Sequence, residues 1–178
     1  MQPSVPNSAL KQIIAAEYAH LGNVNELKQL SFDFTVCNDL SFLRTKSGGF
    51  IVKTMTAPKA FFGTDDSRGR LELVAKVTSH LHQTGHQVEE VIQGQNGHFV
   101  QEYEHKLIRV FRYIENRHYN ESTNDQIEAA RALNKLHSNG LTDLDEGLVE
   151  QIRKIEVAYP LHETASKIDE VYDFLKRQ

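Results

Sequence analysis

A lysine inside a short run of strand-forming residues constrains this sequence more than any other feature. Residues 49–55 read Gly-Phe-Ile-Val-Lys-Thr-Met, and they follow a turn that contains Gly48. Phe, Ile and Val favour a β-strand, and a glycine-containing turn typically precedes one. An ammonium group in a buried strand loses its hydration unless a negative group meets it. The sequence therefore leaves four ways to accommodate the Lys53 charge. The strand lies at an edge, the side-chain stem reaches water, a structural carboxylate pairs with the ammonium, or the phosphates of a nucleotide do so.

The charge and composition of the chain exclude several classes of function. Its 178 residues carry a net charge of −4, which provides no basic field for nucleic acid or an anionic membrane. No apolar run approaches the roughly 20 residues of a membrane span. The polar N-terminus resembles no signal peptide, and the single cysteine, Cys37, excludes an internal disulfide. We therefore expect a cytoplasmic protein of one domain or slightly more.

The spacing of apolar residues predicts a change from strands to helices near residue 115. The first elements are a helix between Ser8 and Gly22, strands at 24–36, 38–45 and 49–55, and a helix at 67–84. Strands at 88–92 and 98–103, joined as a hairpin by a Gly94–Gly97 turn, precede a last strand at 107–114. Three helices then follow, between Ser122 and Gly140, at 144–157 and at 162–175.

Four stretches, taken in this order, carry a resemblance to a known group of proteins. They are Asn38–Thr45 with Gly48–Lys53, His80–Gly85 with Val88, the strand Phe111-Arg112-Tyr113-Ile114-Glu115, and Ala132-Leu133-Asn134-Lys135-Leu136-His137. Together they resemble the aminoglycoside phosphotransferase, choline kinase and homoserine kinase-like families. The resemblance covers residues 24–137.

The resemblance implies an α+β fold with a kinase-like N-lobe, built from an antiparallel sheet of about five strands and one packed helix. A partial helical C-lobe would follow. The implied division is an N-terminal helix at 1–23, the N-lobe at 24–114, and a hinge with a truncated helical subdomain at 115–178.

The resemblance also implies a binding site for ATP with Mg²⁺. In such a lobe the strand lysine, here Lys53, holds the α- and β-phosphates of ATP, and a helix glutamate orients it. Glu72 is the acidic residue of the 67–84 helix, so the resemblance implies that it pairs with Lys53. Asn38, Tyr113 and Glu115 are the other implied nucleotide-binding residues.

The sequence departs from this family pattern at the catalytic loop. Family members carry a His-Gly-Asp motif there, but none of the nine histidines in this chain is followed two residues later by aspartate. Catalytic residues and metal ligands are therefore not identified. His80, His82 and His86 cluster near a helix end, where surface histidines are favoured over metal ligands. We expect the chain to be an N-terminal portion that does not turn over ATP by itself.

Three functional hypotheses follow from these observations. The first is an ATP-dependent small-molecule phosphotransferase whose acceptor is a small polar alcohol. The alternative is a non-catalytic kinase-like binding or assembly module, which the missing catalytic loop favours. The third is an unrelated α+β binding domain. The first two also predict self-association, or a partner that supplies the rest of a C-lobe.

Overall fold

The computed structural model describes residues 5–30, 38–56, 67–115, 127–128, 130–132, 134–135 and 144–158. The chain divides into two compact units, Met1–Leu144 and Asp145–Gln178. None of the helices in this described part of the chain has the length and apolar character needed to cross a membrane.

An antiparallel sheet, six-stranded within the described residues, forms the centre of the first unit. Its strands are β1 (Val24–Leu30), β2 (Asn38–Thr45), β3 (Gly48–Thr56), β4 (Val91–Ile92), β5 (Gln101–Tyr103) and β6 (Lys106–Arg112). The order across the sheet is β1-β2-β3-β6-β4, and β5 also pairs with β6. The predicted antiparallel arrangement is confirmed, with six strands where about five were expected.

The alternation of β3 side chains gives the sheet two different faces. Phe50 and Val52 are fully buried on one side, which we call the back face. Ile51 and Lys53 lie on the other side, the front face, and are only half-buried. Successive side chains of a strand point to opposite faces of the sheet. Burial therefore alternates from one residue of β3 to the next.

The back face is covered by the N-terminal helix α1 (Asn7–Glu17). Leu10 and Ile14 of α1 pack with Phe50 and Val52 in one buried cluster. The N-cap is Pro6, two residues before the predicted Ser8 cap, and the Pro6 carbonyl accepts the first helical hydrogen bond. The helix ends at Glu17, and a short 3₁₀ segment, Ala19–Leu21, fills the predicted remainder.

The front face is partly covered by helix α2 (Ser67–Gln83). Leu71 packs with Met55, Val100 and Leu107, and one turn further along Ala75 packs with a second cluster. That second cluster contains Val91, Phe99 and Phe111. The predicted 67–84 helix is confirmed to within one residue at its end.

The predicted hairpin between residues 88–92 and 98–103 is wrong. β4 and β5 both pair with β6, at Val91↔Phe111 and at Gln101↔Ile108, so they follow one another along the same edge of that strand. The hairpin turn is instead the pair Glu104 and His105, with φ of 46° and 65°. The usual sequence of such a two-residue turn is Asn-Gly. The pair Glu-His gives no such signal, so sequence analysis did not predict the turn.

The second unit contains helix α3 (Glu146–Ala158), which matches the predicted helix at 144–157. The Asp145 side chain accepts a hydrogen bond of 2.9 Å from the Leu148 backbone N–H and caps its first turn. In the first unit, the described residues between 127 and 135 are helical, as predicted. The predicted helix at 162–175 and Cys37 lie outside the described residues.

Candidate functional site

Lys53 lies in the interior of the sheet and is paired with a carboxylate. β3 is hydrogen-bonded to β2 on one side and to β6 on the other, so an edge position is excluded. The Lys53 ammonium donates to both carboxylate oxygens of Glu89, at 2.9 and 3.0 Å. It also lies 4.2 Å from the centre of the Phe111 ring. Its side chain keeps 26% exposure, so the charge is paired but still reaches water.

Glu89 is the site residue that sequence analysis missed. It lies two residues before Val91, which pairs with Phe111, which in turn pairs with Ile51 on β3. Alternation along this segment places Glu89 on the front face, where its carboxylate meets the Lys53 ammonium, and Glu90 on the back face, where it pairs with Arg112 at 2.9 Å. The two consecutive glutamates are visible in the sequence, but the sequence does not show their register against β6.

Glu72 does not pair with Lys53, which corrects the arrangement implied by the family resemblance. Its side chain lies almost fully buried under the loop between β4 and β5. The Glu72 carboxylate accepts hydrogen bonds from two backbone N–H groups. That of Phe99 lies 3.0 and 3.1 Å from its two oxygens, and that of Val100 lies 2.9 Å from one of them. Both oxygens are therefore used by the backbone, because short β4 leaves the following loop without strand partners for these N–H groups.

The front face of β1, β2 and β3 forms one wall of a cavity of about 890 Å³. Two predicted site residues, Tyr113 and Glu115, line it together with the start of β3. The complete lining among the described residues is Glu26, Lys28, Leu30, Phe42, Arg44, Thr45, Gly48, Gly49, Ile51, Tyr113 and Glu115. The lining therefore combines an apolar floor with both cationic and anionic side chains.

The segment after β6 is held against the start of β3 by close contacts. The Tyr113 N–H donates to the Gly49 carbonyl at 3.0 Å. The Tyr113 ring meets the Phe42 ring edge to face, with centres 5.2 Å apart and planes at 83°. A Cβ at Gly49 would lie 3.3 Å from both side chains, so the absence of a side chain permits this approach. The glycine thus leaves room for Phe42 and Tyr113 to form this wall of the cavity.

The structure brings some predicted site residues together and separates others. Tyr113 and Glu115 line the cavity, and Lys53 follows the cavity residue Ile51 by two positions on the same face. Glu72 serves the β4–β5 loop instead. The backbone of Asn38 belongs to β2, but its side chain is outside the described residues. Nucleotide binding by these residues stays a prediction.

Metal ligands are not found in the part of the chain that the structure describes. No three His, Cys, Asp or Glu side chains converge there in a way that could hold an ion. The Mg²⁺ that the resemblance implies therefore has no ligand set among these residues. The described residues offer a ligand two features, the cavity and the cationic groups on the front face.

The fold has a counterpart among solved structures. A complex of spectinomycin phosphotransferase with ADP and spectinomycin superposes on 84% of this chain, with a TM-score of 0.60 and 12% sequence identity. The chain has the protein-kinase-like fold. The predicted kinase-like N-lobe with a partial helical part is thereby confirmed. This kinase-like chain spans 42% of the length of that phosphotransferase.

Other comparisons add little to this fold assignment. A complex of amicoumacin kinase with AMP-PNP, Ca²⁺ and Ami covers 66% of the kinase-like chain and 34% of its own, with 16% identity. The TM-score of this superposition is 0.48. No protein-family model matches the chain, and no curated protein matches it.

Proposed function

We propose that this kinase-like chain is the nucleotide-binding part of an ATP-dependent phosphotransferase that acts on an alcohol group of a small molecule. The observation that carries the proposal is the position of Lys53. It is an interior strand lysine, paired with a carboxylate, on the same sheet face as a large cavity. A phosphate-holding lysine in a kinase-like lobe has this combination of features.

The Lys53–Glu89 pair is suited to holding a lysine ready for an anion. The pair is exposed, with 26% of the Lys53 side chain and 55% of the Glu89 side chain accessible. Exposed pairs of this kind contribute only about 0–1 kcal/mol to stability. Glu89 can therefore fix the direction of the ammonium while leaving it able to bind phosphate oxygens at little energetic cost.

The cavity is suited to the rest of a nucleotide. Its volume of about 890 Å³ lies within the range of small-molecule sites. Leu30, Phe42 and Ile51 provide apolar surface for a base, while Lys28 and Arg44 add positive charge at the same wall. The segment of Tyr113 and Glu115 closes one side, which is where the family resemblance places the hinge.

The acceptor, location and assembly of the protein are part of the proposal. The spectinomycin complex of the structural counterpart supports a small polar acceptor that bears hydroxyl groups. We propose a cytoplasmic location, an N-lobe at residues 24–114, and a C-lobe completed by self-association or by a partner. Under this proposal Mg²⁺ reaches the site with the nucleotide and with ligands outside the described residues.

A binding measurement tests the proposal directly. Isothermal titration calorimetry with ADP should give saturable binding to the 178-residue chain, and Lys53→Met should weaken it at least about tenfold. Lys11→Met is the matched control, because Lys11 is exposed on α1, which covers the back face. ADP binding that is absent, or that Lys53→Met leaves unchanged, would contradict the proposal.

Product formation in a turnover measurement would exclude the non-catalytic module. The chain would be incubated with Mg-ATP and a panel of amino alcohols and aminoglycosides, and product would be measured by mass spectrometry. Phosphorylated product that disappears in Lys53→Met supports a phosphotransferase. Retained ADP binding without product is the result expected of the chain by itself under either hypothesis.

A further inference from the structure

A second cation lies beside Lys53 on the front face. Arg109 of β6 is the direct cross-strand partner of Lys53, so both side chains leave the same side of the sheet. Both also contact one aromatic ring: the Lys53 ammonium lies 4.2 Å and the Arg109 guanidinium 5.3 Å from the centre of Phe111. Strand register and a shared ring therefore hold the two charges next to each other.

Of these two cations, Lys53 is the one paired with the Glu89 carboxylate. Both oxygens of Glu89 accept hydrogen bonds from Lys53, at 2.9 and 3.0 Å. Among the described residues, no side chain forms an ion pair or a hydrogen bond with Arg109. Its half-buried position lowers the pKa of Arg109, and the Glu89 charge opposes that change. The group of Lys53, Arg109 and Glu89 thus keeps one excess positive charge in a partly desolvated place.

We propose that Lys53 and Arg109 together form an anion site for the phosphate groups of a nucleoside di- or triphosphate, with Glu89 as the positioning carboxylate. The identity of the ligand rests on the proposed function, whereas the anion site rests on the charges alone. A guanidinium adds a planar fork that can bind two phosphate oxygens at once. Two adjacent cations therefore favour a ligand with two or more phosphates over one with a single phosphate or none.

The opposite face of the sheet provides a matched control. Arg112 pairs with Glu90 at 2.9 Å, so one carboxylate there serves one arginine. Arg112 is also stacked on an aromatic ring, Phe50, at 4.9 Å. Arg112 and Arg109 thus share strand, residue type and ring contact, and differ in face and in charge balance.

The experiment compares four ligands and four proteins. Calorimetric titrations would use ADP, AMP, adenosine and inorganic tripolyphosphate with the unchanged chain, Arg109→Met, Arg109→Lys and Arg112→Met. Circular dichroism would show that each variant is folded. We expect Arg109→Met to weaken ADP and tripolyphosphate binding by about 10- to 100-fold, with adenosine binding unchanged. Arg109→Lys should restore part of the loss, and Arg112→Met should have no effect.

The outcomes separate this inference from the proposed function. If the chain binds ADP and Arg109→Met binds it equally well, the two-cation site is refuted and the proposed function stands. If tripolyphosphate binding depends on Arg109 but ADP and adenosine do not bind, the anion site stands and the proposed function fails. If neither ADP nor tripolyphosphate binds, both fail. An equal loss of ADP and adenosine binding in Arg109→Met would also refute the site.

Discussion

Replacing Glu72 by alanine removes the acceptor of two buried backbone N–H groups. These groups belong to Phe99 and Val100, and both lie 2.9–3.1 Å from the Glu72 carboxylate. An unsatisfied buried N–H costs about 1–3 kcal/mol, so the two together predict a loss of about 2–6 kcal/mol in the free energy of unfolding. This is a large fraction of the about 5–15 kcal/mol that stabilises a typical domain.

Glu89→Ala is the comparison variant, because it removes a carboxylate that bonds a lysine side chain rather than buried backbone N–H groups. The Lys53–Glu89 pair is exposed, so its loss should cost only about 0–1 kcal/mol. Glu72→Gln should fall between the two alanine variants, since the amide retains one oxygen but places a donor near the second N–H. The expected order of destabilisation is therefore Glu72→Ala, then Glu72→Gln, then Glu89→Ala.

Urea unfolding followed by far-ultraviolet circular dichroism measures this order. Hydrogen exchange gives a local readout, because the amides of Phe99 and Val100 should lose protection in Glu72→Ala while those of β3 change less. A Glu72→Ala variant that is no less stable than Glu89→Ala would refute the structural role of Glu72. Unchanged exchange at residues 99 and 100 would refute the hydrogen bonds themselves.

Three further predictions concern the back face and the turns. Burial raises the pKa of Tyr18, so above pH about 10 the unfolded chain releases a proton that the folded chain keeps, and stability falls by up to about 1.4 kcal/mol per pH unit. Tyr18→Phe should remove that part of the slope in urea unfolding at pH 9–11, and an unchanged slope would count against a buried neutral Tyr18. Gly48→Ala should destabilise by about 1–3 kcal/mol, because Gly48 has a φ of 123°, and a stability equal to that of the unchanged chain would contradict this backbone assignment. His105→Gly should stabilise by about 1 kcal/mol in thermal unfolding, since His105 has a φ of 65°, and a lower melting temperature would argue against the two-residue turn.

Local sequence patterns determined many of the elements of the kinase-like chain. Strand-forming residues around Lys53 and the glycine turn before them predicted β3, and helical spacing predicted α2 and α3. These features depend on neighbours a few residues apart, so alternation and 3.6-residue spacing reveal them. The need of a lysine within a sheet for a negative group is equally local, and Glu89 meets it.

The tertiary structure alone decided which carboxylate serves which partner. Lys53 and Glu89 are 36 residues apart, and Glu72 and Phe99 are 27 residues apart. The pairing of β4 and β5 with β6 sets both contacts, and a shift of one residue would turn Glu89 to the opposite face. Register between distant strands depends on the packing of the whole sheet, so the sequence could predict that Lys53 needs an anion but not that Glu89, rather than Glu72, provides it.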